Sequence, residues 1–251
     1  MRKKVILLLG ISVTLIISIV IVTMFAYKSN PNKLLGKGTV EGYEVSSFVT
    51  DEIKDESESA LMSALLSDEL TPDNLKEEAE NIAIVRVISL DYSSTEFDTI
   101  VGNTFGSMLI NTVLKGNLQE GNVVSYASKG GYLTISEWEK NQPAAANEKR
   151  DYLRAQNNKA IDKDSTYIHL QFNKCVDAEA GQTYLAYFNY NEEMGKYEII
   201  GFQNGFMKLD IPQENSRIST LNIKNDEIRV LNNNTNEYEN FKNYIIEHIE
   251  E

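Results

Sequence analysis

Between Val5 and Tyr27 the chain carries no charged side chain. As a helix rising about 1.5 Å per residue, this run spans about 34 Å, enough to cross a hydrocarbon core of about 30 Å. It predicts a single transmembrane helix over residues 5–27. A buried core helix would show a polar stripe, and this run shows none. A cleaved secretory signal has an apolar region of about 7 to 15 residues and a small-x-small cleavage site. Here a cut after Ala26 would put Met24 where a small residue is wanted. Ser12, Thr14, Ser18 and Thr23 are tolerated because a hydroxyl can bond back to the helix's own carbonyls.

Charge sets the orientation. Arg2, Lys3 and Lys4 precede the run, and short basic flanks stay on the cytoplasmic side. Residues 1–4 are therefore expected inside, and everything after Tyr27 outside the cell. That outer part keeps 21 of the 24 basic residues and all 37 acids, a net charge of −16. Such a surface repels phosphate backbones, so a nucleic-acid partner is not expected. Cys175 is the only cysteine, so no intramolecular disulfide can form. A domain of this size needs none to bury an adequate core.

Lys28 to Gly38 reads as a linker, with Pro31 and two glycines, and an extracytoplasmic domain is expected over 39–251. Thr39–Val49 reads as a strand and Asp51–Leu66 as a moderately amphipathic helix. Thr71-Pro72-Asp73 is a capped helix start, so Pro72 to about Glu80 is predicted helical. From Ile82 the period becomes that of strands: Ile82–Leu90, Phe105–Leu114 and Val123–Ser128, with a glycine-bounded connector at Gly116–Gly121. A helical insertion follows over 134–164, with helix starts near Ser136 and Pro143. Strands resume at Tyr167–Phe172, Thr183–Tyr190, Tyr197–Phe202 and Phe206–Leu209, the last after the turn signal Asn204-Gly205. Shorter strands are expected at Ser219–Ile223 and Ile228–Leu231. A C-terminal helix is expected over 237–249, capped by Thr235.

Candidate chemistry is sparse. Asp51–Glu58 is acid-rich but lacks the alternating ligands and loop glycine of a calcium site. Gly130-Gly131 matches no phosphate-binding pattern and reads as a turn. His169, on the polar side of its strand, could act as a base, yet no nucleophile motif accompanies it or His248. Cys175, six residues from His169, does not by that spacing make a dyad. Trp138 reads as a packing aromatic, with an exposed partner contact or a lid residue as the alternatives. Asn233-Asn234-Thr235 formally matches a glycosylation acceptor. No catalytic, cofactor-binding or metal-ligating residue is assigned.

Several short segments carry a resemblance: Ile84-Val85-Arg86-Val87, Val113-Leu114-Lys115-Gly116 with Gly121, Gly130-Gly131, Gly181-Gln182-Thr183-Tyr184-Leu185, and Gly201 to Phe206. Over roughly Pro72 to Leu209 the chain resembles a group of secreted or membrane-anchored proteins of Gram-positive bacteria with no characterised activity. Abundant Asn, Lys, Ile and Glu fit such a source. The resemblance implies an α+β fold, mainly antiparallel β, built as a small barrel like that of oligonucleotide/oligosaccharide-binding (OB) domains with flanking helices. It brings no catalytic residues. Barrel closure also removes sheet edges that invite strand pairing. The functional expectation is a binding or scaffold module at the cell membrane, anchored by residues 5–27. Its expected partner is an envelope component or another membrane protein, such as a secretion or conjugation apparatus. A cell-wall hydrolase working through paired carboxylates is the alternative.

Overall fold

Among the described residues, thirteen strands and six helices follow from the alternation of apolar runs with glycine and asparagine turns. A computed structural model describes residues 35–40, 42–62, 71–98, 101–157, 161–172, 174–212 and 226–250. The expected transmembrane helix over 5–27 and the strand at Ser219–Ile223 lie outside these. Among the described residues no helix is long and apolar enough to cross a membrane.

The strands are β1 (Leu35–Val40), β2 (Tyr43–Ser47), β3 (Glu58–Met62), β4 (Asn81–Ser94), β5 (Asn103–Lys115), β6 (Val123–Lys129) and β7 (Gly131–Thr134). They continue as β8 (Tyr167–Phe172), β9 (Thr183–Asn191), β10 (Lys196–Ile199), β11 (Phe206–Asp210), β12 (Arg229–Asn232) and β13 (Glu237–Asn240). The helices are α1 (Asp51–Glu56), α2 (Pro72–Glu78), α3 (Ile135–Glu139), α4 (Ala144–Gln156), α5 (Phe202–Gly205) and α6 (Phe241–His248). The protein is thus α+β and mostly β, with a large mixed sheet and a three-stranded one, β3-β8-β7. Most ladders are antiparallel, but β2–β4, β6–β10 and β3–β8 are parallel.

β4 organises the large sheet because both of its faces are apolar. It pairs with β5 on one side, and on the other with β9 along Asn81–Arg86 and with β2 at Ser89–Leu90. β5 pairs with β6, β6 with β10, and β10 with β9, so the order β4–β5–β6–β10–β9 returns to β4. Alternation then sorts the side chains into two cores. Ala83, Val85, Met108, Tyr126, Tyr184 and Phe188 belong to one. Ile82, Ile84, Leu185 and Tyr187 point the other way, into a second core with Leu75 of α2, β11, β12 and α6. Burying both faces explains why β4 reads as a near-continuous hydrophobic run.

Several boundaries differ from the sequence expectation. The helix expected from Asp51 ends at Glu56. Glu58–Met62 is instead recruited as β3 beside β8, a tertiary pairing that overrides a weak helical pattern. Leu35–Val40 is β1 rather than linker, and the turn at Gly42 splits the expected Thr39–Val49 strand into a hairpin. Asn204-Gly205 does not form a left-handed hairpin turn. The positive φ falls earlier, at Gly201 (83°) and Phe202 (48°), and the Asn-Gly pair ends α5. At the C-terminus Glu237–Asn240 is a strand paired with β12, so the helix is α6, four residues shorter at its start than expected.

Asn240, not Thr235, caps that helix: its side-chain oxygen accepts from Asn243 N–H at 3.0 Å while its amide donates to Asp226 O at 2.8 Å. Asn240→Ala removes both bonds. A cap loss costs about 1 kcal/mol, and it should appear as a lowered urea midpoint with an unchanged slope.

Candidate functional site

One end of the β4–β5–β6–β10–β9 ring holds a cavity of about 200 Å³. Its floor comes from Leu90 at the end of β4, Thr104 at the start of β5 and Ser128 at the end of β6. Gly130 and Gly131 form one wall because the chain must turn there from β6 straight into β7. Gly131 has φ +111°, and a Cβ on it would collide with Thr104 Oγ1. Gly130 N–H donates to Gly102 O at 3.0 Å, and Thr104 Oγ1 donates to Gly130 O at 2.8 Å. The glycine pair is therefore a structural corner, as expected, and the corner borders the cavity.

The other wall is the loop Asp177–Ala180, which precedes β9 and packs Ala178 and Ala180 against the inner core. The Tyr184 hydroxyl holds this loop, accepting from Glu179 N–H at 2.9 Å and donating to Asp177 O at 3.4 Å. The Tyr184 ring is fully buried and stacked on Phe206 at 4.0 Å between centroids. Burial pushes its phenol far above the ordinary range, so it serves as a neutral clamp.

Charged groups around the cavity are mostly committed. Lys129 Nζ lies 3.0 Å from Asp98 and 3.1 Å from Glu198. Burial lowers its pKa, but the two carboxylates outweigh burial and hold the ammonium above its ordinary value. Glu179 pairs with Lys208 at 3.3 Å. His169 Nε2 lies 2.8 Å from Asp177 Oδ2 but makes no directed hydrogen bond, so proximity rather than a shared proton joins them. Tyr132 stacks flat on the His169 ring at 4.3 Å. Lys54 of α1, by contrast, reaches the cavity as an exposed lysine. Ser128, 8% exposed, also lines it, with no hydrogen bond from its hydroxyl among the described residues.

The sequence candidates fall in different places. Cys175 lies near the cavity in the same connecting segment, but burial pushes its thiol up to about 12, so at neutral pH it stays protonated and unreactive. No hydrogen bond joins it to His169 among the described residues. His248 ends α6, the helix that packs in the second core, with Nδ1 2.9 Å from Asp73. Asn233 is buried, donating to Gln203 O at 2.6 Å and Phe206 O at 3.2 Å, which makes it a structural strut rather than an exposed acceptor for a glycan. Trp138 packs beside Leu133, Ile168 and Leu170, with the Arg150 guanidinium 4.4 Å over its ring. Among the described residues no group of three or more His, Cys, Asp or Glu side chains is placed to hold a metal ion.

Sequence reasoning singled out the glycine corner and His169 but missed Ser128, Asp177 and Lys54. They come from three segments far apart in the chain, and only the strand pairings bring those segments together. Comparisons against family models, curated proteins and solved structures find no match, so the site is read from its own chemistry.

Proposed function

We propose that the protein is a membrane-anchored, extracytoplasmic binding module whose β4–β5–β6–β10–β9 ring is a small OB-like barrel. Five strands whose ladder returns to its start support the barrel reading. So does the long excursion from β6 back to β9 beside β4, a Greek-key connection. The apolar run over 5–27 and its basic flank support the anchor and its orientation. The cavity at the ring's end carries the functional reading: it combines hydroxyl, carboxylate and amine groups with an apolar wall, while the nearby thiol is held protonated. That inventory suits recognition of an envelope component, since each of these polar groups can make a hydrogen bond or ion pair to an occupant.

Two measurements test the reading. Protease added to intact cells should digest the domain after residue 27; its survival would overturn the orientation. Soluble envelope fragments titrated into the ¹⁵N-labelled full chain in nanodiscs should perturb the amides of Tyr132 and Ala178–Ala180. Ser128→Leu, which fills the cavity, should abolish those shifts. Perturbations that map elsewhere, or that persist in S128L, would count against the cavity as the binding site.

A further inference from the structure

We infer that the cavity takes a small zwitterion, an amino acid or the end of a short peptide, with its ammonium on the Asp177/Glu179 loop and its carboxylate on Lys54. This inference rests on the binding reading above and adds the class of ligand. Size comes first. The cavity volume is about 200 Å³. It falls below the roughly 300 Å³ at which drug-sized pockets begin. One small residue fits, free or at the end of a chain.

Charge placement comes second. Lys54 and Asp177 line the same cavity, beside Glu179, which is already paired with Lys208 at 3.3 Å, yet Lys54 forms no ion pair with either carboxylate among the described residues. Lys129, the other cation of the lining, is already neutralised by Asp98 and Glu198. Opposite charges that share a cavity without meeting leave a gap that a molecule carrying both signs can bridge. A ligand of one sign would gain one contact and be repelled at the other.

The remaining polar group fits the same occupant. Ser128 also lines the cavity, and its hydroxyl makes no hydrogen bond to another described residue, so it can donate to or accept from an occupant. Leu90, Ala178 and Ala180 supply a short apolar wall, enough for a methyl-sized side chain.

Calorimetric titration of the full chain in nanodiscs tests this with four probes: L-alanine, N-acetyl-L-alanine, L-alaninamide and glucose. Alanine should bind, and each capped derivative should bind at least about tenfold more weakly, as expected when one charge-assisted contact is lost. Lys54→Met should erase the preference for alanine over alaninamide while keeping the preference over the acetylated form. Asp177→Asn should do the reverse. Glucose binding without alanine binding would overturn the zwitterion and leave the cavity a binding site. Silence with all four probes would overturn the zwitterion as well. If envelope fragments also gave no shifts at Tyr132, the binding reading would fall with it.

Discussion

Gly106→Ala is expected to cost at least about 3 kcal/mol, enough to take much of a typical domain's stability. Gly106 sits in mid-strand on β5, paired with Leu90 of β4 and Tyr126 of β6. A Cβ there would overlap the Ser89 carbonyl oxygen and press on Tyr126 Cε1. The first of these is backbone and cannot rotate away. At the same place the β4–β5 register shifts between Val87 and Ser89 and again between Leu90 and Tyr92. The Ser89 and Ser107 hydroxyls are bonded at 2.7 Å across the irregularity. These shifts let β4 bend, so that its first half serves β9 and its second half β2. Forcing the strands apart would undo that bend and the ring's return to β4 together. Urea denaturation followed by far-UV circular dichroism reads the effect. Gly121→Ala is the control, since nothing lies within 4 Å of its added methyl, although its φ of +85° makes a smaller strain cost expected. Equal losses in the two variants would show that close approach at Gly106 is not what matters.

Elements whose signals were local came through clearly in the sequence. Tyr167–Phe172 alternates strictly and is a strand over those same bounds. Thr71-Pro72 announces α2, where Thr71 Oγ1 accepts from Asn74 N–H at 3.3 Å. Elements fixed by distant partners did not come through. Glu58–Met62 is a strand because β8 lies beside it, and Glu237–Asn240 because β12 does. Gly106 did carry a local sign, since a glycine inside a strand often marks a close backbone approach, but Ser89 as the neighbour is known only from the register. The candidate site was less legible for the same reason. Gly130-Gly131 is visible as a turn in any reading. That it shares a cavity with Asp177 and Lys54 depends on β6, α1 and the loop before β9 converging at one end of the ring.

Glu139→Gln is expected to release α4 while leaving the ring folded. α4 has no buried residue, so apolar packing does little to hold it. Glu139, only 8% exposed at the end of α3, does that work instead. It accepts from Arg154 at 3.0 Å and Lys163 at 2.7 Å, with Arg150 at 3.5 Å, and its carbonyl accepts from Asn147 at 3.0 Å. Asp151 joins Lys163 and Arg154 on the outer side. Breaking a buried pair costs about 3 to 5 kcal/mol. Lys163 is one-third exposed, so about 2 to 3 kcal/mol is a fairer expectation here. The readout is hydrogen exchange: protection of α4 amides should fall on the order of 30- to 150-fold, while amides of β4 and β9 keep theirs. The same carboxylate gives the pH dependence its sign. Burial pushes the Glu139 pKa up, but the hydrogen bonds from Lys163 and Arg154 outweigh it, and the group lies below its ordinary 4.5. A carboxyl depressed in the folded state contributes fully above its unfolded pKa and loses that contribution as pH falls through the folded one. Protection of α4 should therefore hold from pH 7 down to about 5 and drop below the usual carboxylate range. In Glu139→Gln the drop should be largely absent, because the group that titrates is gone. An unchanged acid drop in that variant would assign the attachment of α4 to other carboxylates, Asp151 first among them.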